Sequence, residues 1–337
     1  MLVRARALIS VVALGVPFGA KAQQVEIQEW TVPYESSRPR DPYVAPDGKI
    51  WFVGQRTHYV AVFDPATGQF KKHDLPPQAG PHNLIVDDKG VIWYAGNRVA
   101  NIGRLDPKTG EIKTFAMPDS GARDPHTLRF GHDGQIFFTV QGGNYIGRFT
   151  PTTGEVKLAK VTTPRARPYG IEVDSKGTVW ANLFGTNKLA KVDPHTLAIT
   201  EIEMPDARAR GRRIAITSDD KIWYVDYARG YLGRYDPATG QFKEWANPGG
   251  ERSQPYAMTV DDKDRLWFVE TGLDPNTLVG FDPRSEQFFS VTQIESGAGA
   301  VRHMVFHKPS GMIWFGTDAN TLGRANVGAV AGANVVP

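Results

Sequence analysis

The chain has no cysteine. Disulfides, zinc–thiolate centres and thiol nucleophiles are therefore excluded, and the fold must hold by packing and topology alone. Long apolar runs are missing after the first twenty residues. There, Arg4 and Arg6 precede an apolar stretch over 7–18, broken only by Ser10, Gly15 and Pro17, and Ala20-Lys21-Ala22 follows. A basic start, a short apolar centre and a small-x-small end make a secretory leader that is too short to span a bilayer. Cleavage is expected after Ala22, giving a periplasmic or secreted protein with no membrane span. Net charge is lacking as well. The 39 Lys and Arg face 36 Asp and Glu, and the leader removes Arg4, Arg6 and Lys21, which leaves 36 of each sign. Without a net field to drive counterion release, nucleic acid is not an expected partner. Beyond the leader, no stretch keeps a helical period.

What the sequence does contain is one unit repeated seven times. The aromatic anchors Trp51, Trp93, Phe137, Trp180, Trp223, Trp267 and Trp314 recur at spacings of 42, 44, 43, 43, 44 and 47. The clearest copy starts at Pro81-His82 and runs through Val86-Asp87-Asp88-Lys89-Gly90 to Ile92-Trp93-Tyr94. It goes on through Asn101-Ile102-Gly103-Arg104 and Asp106-Pro107-Lys108-Thr109-Gly110. The copy reads as four short strands. Asp caps the turns between them, Pro presets φ at their second position and Gly takes the positive φ. Four strands per forty-odd residues predict an all-β, seven-bladed β-propeller.

The ends agree with this reading. The last copy has strands at 304–307, 313–316 and 321–325 but no fourth, and 25–33 resembles the fourth strand of other copies. The N-terminal strand is expected to complete the last blade and so remove the sheet edges. The chain then divides into a leader (1–22), one propeller domain (23–327) and an unassigned tail (328–337), and a monomer is expected. The anchors themselves read as wedges between blades rather than a stacking platform.

Chemistry in a repeat protein lies where the copies differ. The residue at the start of the innermost strand, preceded by Pro in five copies, is in turn Tyr43, His82, His126, Tyr169, Arg212, Tyr256 and His303, the first copy being shorter by three residues. Fourteen residues on, or three past the anchor, stand Gly54, Gly96, Val140, Leu183, Asp226, Glu270 and Thr317. A hairpin centred on the turn places Glu270 opposite Tyr256, Asp226 opposite Arg212 and Thr317 opposite His303. One channel mouth thus carries histidine, tyrosine, arginine and carboxylate. A neutral histidine can act as a base, carboxylates can hold a hard cation, and arginine can clamp an anion or polarise a carbonyl. Arg123, Arg167, Arg210, Arg213 and Arg302 beside these positions favour an anionic or carbonyl-rich small molecule. Asp226 with Arg212 reads equally well as a plain ion pair.

The repeat, with its Pro-His/Tyr start, Gly-x-Ile-Trp-Phe centre and Asn-x-Ile-Gly-Arg-x-Asp third strand, resembles that of the virginiamycin B (streptogramin) lyases over essentially the whole mature chain. The resemblance implies a seven-bladed propeller and metal-assisted, non-hydrolytic opening of a cyclic depsipeptide at its ester. It also implies a histidine base and magnesium held by acidic residues, calcium being the alternative ion. The family pattern is Glu-x-His with a second Glu fourteen residues after the His, and no copy here carries it whole. Asp124-Pro125-His126 is followed by Val140, His303 lies between Val301 and Thr317, and Glu270 is paired with Tyr256. A site of the family's type would be assembled across blades. His126 or His303 would act as base, with Tyr256 standing where a histidine would; Glu270, with Asp226 or Asp124, would hold the metal. Tyr43, His82, Tyr169, Arg212 and Arg302 would contact the ester or anion. Two other readings stay open. A metal-dependent lactonase or hydrolase is one, although the Glu-Gly-Pro segment expected of that group is missing. A non-catalytic binding or scaffold module of the cell envelope is the other.

Overall fold

The computed structural model describes residues 23–331. The leader expected over 1–22 and residues 332–337 of the tail lie outside them. Seven four-stranded antiparallel sheets form a β-propeller, as the repeat predicts. Blades 1 to 6 occupy 39–74, 81–116, 125–160, 168–203, 211–246 and 255–293, each winding outward in chain order. Blade 7 takes its three inner strands from Val301–His307, Met312–Thr317 and Thr321–Asn326, and its outer strand from Ile27–Thr31. That strand runs antiparallel to the third, from Ile27 opposite Ala325 to Thr31 opposite Thr321, and locks the ring as expected. Two short 3-10 turns, Gly250–Ser253 and Lys308–Ser310, are the helical content of the described residues. None of their helices is long and apolar enough to cross a membrane.

The blade grammar has a physical cause at each step. In the first hairpin of blade 2, the Asp87 carboxylate accepts the Lys89 and Val91 N–H groups at 3.0 and 2.9 Å and so closes the turn. Its second oxygen accepts the Trp93 indole N–H at 3.2 Å. Trp180 and Trp267 donate in the same way to Asp174 and Asp261 at 2.9 Å, and Trp223 to Thr217 at 3.1 Å. All seven anchors are buried wedges, the structural role expected of them, and in these four the polar edge also staples the turn. The glycine of the Ile-Gly-Arg strand is equally constrained. A Cβ on Gly233 would lie 2.1 Å from the Tyr224 ring, so only glycine lets that aromatic ring cross the sheet.

Apolar clusters fill the spaces between blades around the ring. The junction of propeller and tail is tied down: the Val327 and Val330 carbonyls accept the buried Arg265 guanidinium at 2.8 and 2.6 Å. The seven innermost strands remain to line the central channel.

Candidate functional site

One irregularity repeated in all seven blades positions the site. The head of each innermost strand pairs with the residue three past the anchor, and a β-bulge then interrupts the ladder. Glu270 therefore lies opposite Pro255 and Asp226 opposite Gly211, one residue earlier than the expected Tyr256 and Arg212, and Thr317 lies opposite Val301, two residues earlier than the expected His303. A shift of one residue reverses the face of a strand. The mouth is accordingly lined by the residue four past the anchor: Gln55, Phe184, Tyr227 and Asp318 touch ring residues of their own or a neighbouring blade.

Two ring assignments change with the register. In blade 1 Pro39 pairs with Gly54, so the ring residue is Arg40, and Tyr43 lies farther down the strand opposite Trp51. The first copy has full length, since Pro39 and not Pro42 heads its innermost strand. In blade 7 the turn at Lys308–Ser310 adds a residue, so Arg302 takes the ring position and His303 falls one step deeper. The observed ring is Arg40, His82, His126, Tyr169, Arg212, Tyr256 and Arg302.

Most of these side chains touch in sequence around the mouth. The His82 and His126 rings are 3.6 Å apart and the His126 and Tyr169 rings 3.9 Å. The Tyr169 and Tyr256 hydroxyls share a short hydrogen bond. The Arg212 guanidinium stacks 3.6 Å above Tyr256 and 4.2 Å from Tyr227. Arg302 lies 5.8 Å from the Tyr256 ring and is held by Asp318 through two hydrogen bonds at 3.1 and 2.6 Å. Beneath the ring, the fully buried Asp41 carboxylate accepts from Arg40 (2.8 Å), Asn83 (3.0 Å) and Arg213 (3.2 Å). Arg213 also reaches the Thr127 hydroxyl at 2.9 Å and the Arg302 carbonyl at 3.0 Å, which ties blades 1, 3, 5 and 7 across the axis.

The electrostatics follow from this packing. Burial would raise the Tyr256 phenol, but the guanidiniums of Arg212, Arg40, Arg213 and Arg302 outweigh it and lower the group to about 7. Tyr169 moves the other way, raised by burial and by the charge on Tyr256. His82, His126 and His303 are held well below the usual histidine range, by burial and then by neighbouring charged groups among which Arg213 recurs. All three are neutral near pH 7. His82 Nδ1 lies 3.1 Å from the His126 carbonyl and must donate to it, so its Nε2 carries the lone pair. His303 Nε2 accepts from Arg129 at 2.9 Å, which places its proton on Nδ1, buried without a partner. Toward the opposite mouth, Tyr43, His303, Arg129 and Glu172 line a cavity of about 300 Å³.

The three carboxylates expected to hold magnesium are not brought together. Glu270 accepts the Gly249 N–H and the Thr277 hydroxyl, both at 2.8 Å, and so fastens the loop before blade 6. Asp226 accepts the Arg210 N–H at 2.9 Å and the Arg229 guanidinium. Asp124 binds the Asn97 amide, and burial raises its carboxyl to about 6. At the paired positions heading each blade, no pair is doubly acidic; the nearest are Pro255 with Glu270, Gly211 with Asp226 and Val301 with Thr317. Among the described residues, no group of three or more His, Asp or Glu side chains is placed to hold a metal ion. Magnesium needs several convergent oxygens, so these residues do not fit it.

The polar ring at the mouth of a seven-bladed channel can be set beside known proteins. The virginiamycin B lyase family model matches residues 16–273. The chain belongs to the virginiamycin B lyase family. Three solved structures of this kind superpose closely. The selenomethionine-substituted virginiamycin B lyase of Staphylococcus aureus is 23% identical at a TM-score of 0.82, over 90% of this chain and 99% of its own. A streptogramin B lyase is 24% identical at 0.81, over 90% and 97%. A catalytically inactive histidine-to-alanine variant of the Staphylococcus aureus enzyme with quinupristin is 23% identical at 0.80, over 90% and 99%. At these identities the structures establish the shared fold. No curated protein matches the sequence.

Of the expected site residues, His82, His126, Tyr169, Arg212, Tyr256 and Arg302 meet at the mouth of this lyase-family propeller. His303 lies a step beneath and Tyr43 faces the far cavity, while Glu270, Asp226 and Asp124 brace loops. Sequence reasoning missed Arg40, Asp41, Phe184 and Tyr227. Counting eleven residues back from each anchor would have found Arg40, and counting four forward would have found the aromatic pair.

Proposed function

We propose that the protein is a carbon–oxygen lyase that opens an ester by β-elimination, with Tyr256 as the base. The observation that carries this reading is the Tyr169–Tyr256 hydroxyl pair beneath Arg212, surrounded by the further guanidiniums of Arg40, Arg213 and Arg302. A phenolate held there near neutral pH can take the proton from the carbon next to a carbonyl. The released electron pair forms the carbon–carbon double bond, the Cβ–O bond breaks, and the acyl part leaves as a carboxylate. Arg212 and Arg302 stand where negative charge develops on the carbonyl oxygen and the leaving group. His82, its proton fixed on Nδ1, offers Nε2 as an acceptor that orients the substrate. No water is consumed, and no step depends on the carboxylates that lie elsewhere.

Family membership supports a cyclic depsipeptide or related ester as substrate. The leader-like residues 1–22 support action outside the cytoplasm. The test is product mass after incubation with a cyclic depsipeptide in ¹⁸O-water. Elimination gives a linear product of unchanged mass and no label; a product heavier by one labelled water would establish a hydrolase instead. An unopened ester that nonetheless binds would favour the envelope binding module, a reading supported by how rigidly the ring residues hold one another.

A further inference from the structure

We propose that the ligand of this mouth carries a carboxylate or similar oxyanion, bound by Arg212 within an aromatic cage formed by Tyr256, Tyr227 and Phe184. As a statement about substrate it rests on the lyase reading; as a statement about binding it stands on the geometry of Arg212. Four guanidiniums surround Tyr256. Arg40 and Arg213 share Asp41, and Arg302 is paired with Asp318. Among the described residues Arg212 has no carboxylate partner. Its polar contact is one Nη2 to the Tyr169 hydroxyl at 3.4 Å, and its Nε is buried with no partner at all.

Aromatic faces take the place of a counterion. The Arg212 guanidinium lies 3.6 Å from the Tyr256 ring centre, 4.2 Å from Tyr227, 4.9 Å from Phe184 and 5.2 Å from Tyr169. Stacking holds a guanidinium in a fixed plane and leaves its N–H edge unneutralised, which suits planar, two-point recognition of a carboxylate. Even with Tyr256 ionised, the four guanidiniums face three anions: Asp41, Asp318 and the phenolate. One positive charge is left over, and it sits on the half-buried side chain nearest the aromatic rim. Exposed Arg167 packs on Phe184 at 5.6 Å and adds a second cation to that rim. Phe184 and Tyr227 meet edge to face with centres 5.9 Å apart, an apolar wall beside the cation. The chemistry therefore selects an anionic group carried on a flat or apolar body.

Benzoate and its neutral counterpart benzamide are the probes, titrated by calorimetry and by proton NMR line shape into the whole protein. Benzoate is expected to bind saturably and benzamide at least about tenfold more weakly, as a charge-assisted pair requires. Arg212→Met should weaken benzoate by about tenfold or more and leave benzamide unchanged, and Arg212→Lys should recover part of the loss. Equal binding of the two probes to the unaltered protein overturns the proposal, as does absence of benzoate binding. A folded Arg212→Met that binds benzoate normally overturns it too. Should that variant fail to fold, comparison of the two probes on the unaltered protein still decides. The two readings fail separately. Opening of a neutral cyclic ester with no binding or inhibition by benzoate removes the anion site and keeps the lyase. Benzoate binding lost in Arg212→Met, together with no ester opened by elimination, keeps the anion site and removes the lyase.

Discussion

The wall of each blade and the lining of the channel come from the same strands, yet they are built on opposite terms. In the wall, seven copies repeat one solution: a buried aromatic anchor, joined in blades 2, 3, 5 and 7 by a glycine that makes room for a ring and in blades 2, 4, 5 and 6 by an indole N–H returned to the turn. In the lining, no two neighbouring blades give the same pair of mouth residues. Buried nitrogens are left without partners there, on Arg40 (Nη2), His126 (Nε2), Arg212 (Nε) and His303 (Nδ1). An unpaired buried donor costs ~1–3 kcal/mol, a cost that persists where a ligand or a reaction uses the group. Stability therefore resides in the repeated positions, and chemistry in the unrepeated ones.

That division can be broken by exchanging roles. Tyr256→Phe removes one oxygen from the lining and should lower ester opening by about 10²–10⁴-fold, the range for loss of a positioned base, with little change in melting temperature. A variant with near-normal turnover would take the chemistry away from Tyr256. Next in size is Arg213→Met, which leaves Asp41 buried with half its charge compensation. Unfolding in urea should show a loss of ~3–5 kcal/mol. The sign with pH is definite. Burial alone would raise the Asp41 carboxyl, but Arg40 and Arg213 outweigh it and hold it well below the usual range. Its stabilising contribution is present above the ordinary carboxylate pKa and disappears as the pH falls below it, so the parent and variant stabilities should converge in acid.

Changes in the wall should do less, and do it differently. Trp180→Phe deletes the N–H that Asp174 accepts and some ring volume, for a loss of about 2 kcal/mol in stability with turnover unaffected. Smallest is Glu270→Gln, which can still accept the Gly249 N–H. It should cost about 1 kcal/mol and leave turnover within about threefold. A collapse of activity in Glu270→Gln, restored by added Mg²⁺, would return that carboxylate to the site.

The wall was legible in the sequence because each of its rules is local and repeated. Asp87 caps its own turn, Trp93 sits six residues on, and seven copies correct any single misreading. The closing strand was legible for the same reason, since 25–33 matched a missing fourth strand. In the lining, five of the seven ring residues were legible and the cross-strand partners were not. A bulge leaves no compositional mark, and the plain hairpin rule placed Glu270 opposite Tyr256 when Pro255 is its partner. In blade 1, Pro42 imitated the repeat's proline and concealed Arg40. In blade 7, the extra turn residue moved Arg302 into the ring in place of His303. The contact of Tyr256 with Tyr169 joins residues 87 positions apart, which no local pattern encodes.

Ultraviolet difference titration of the unaltered protein against Tyr256→Phe tests the central claim most directly. The unaltered protein should show one phenol ionising near pH 7, absent from the variant, with the rate of ester opening rising along the same curve as the base loses its proton. Superimposable titrations, with every tyrosine ionising near or above its ordinary value, would contradict it.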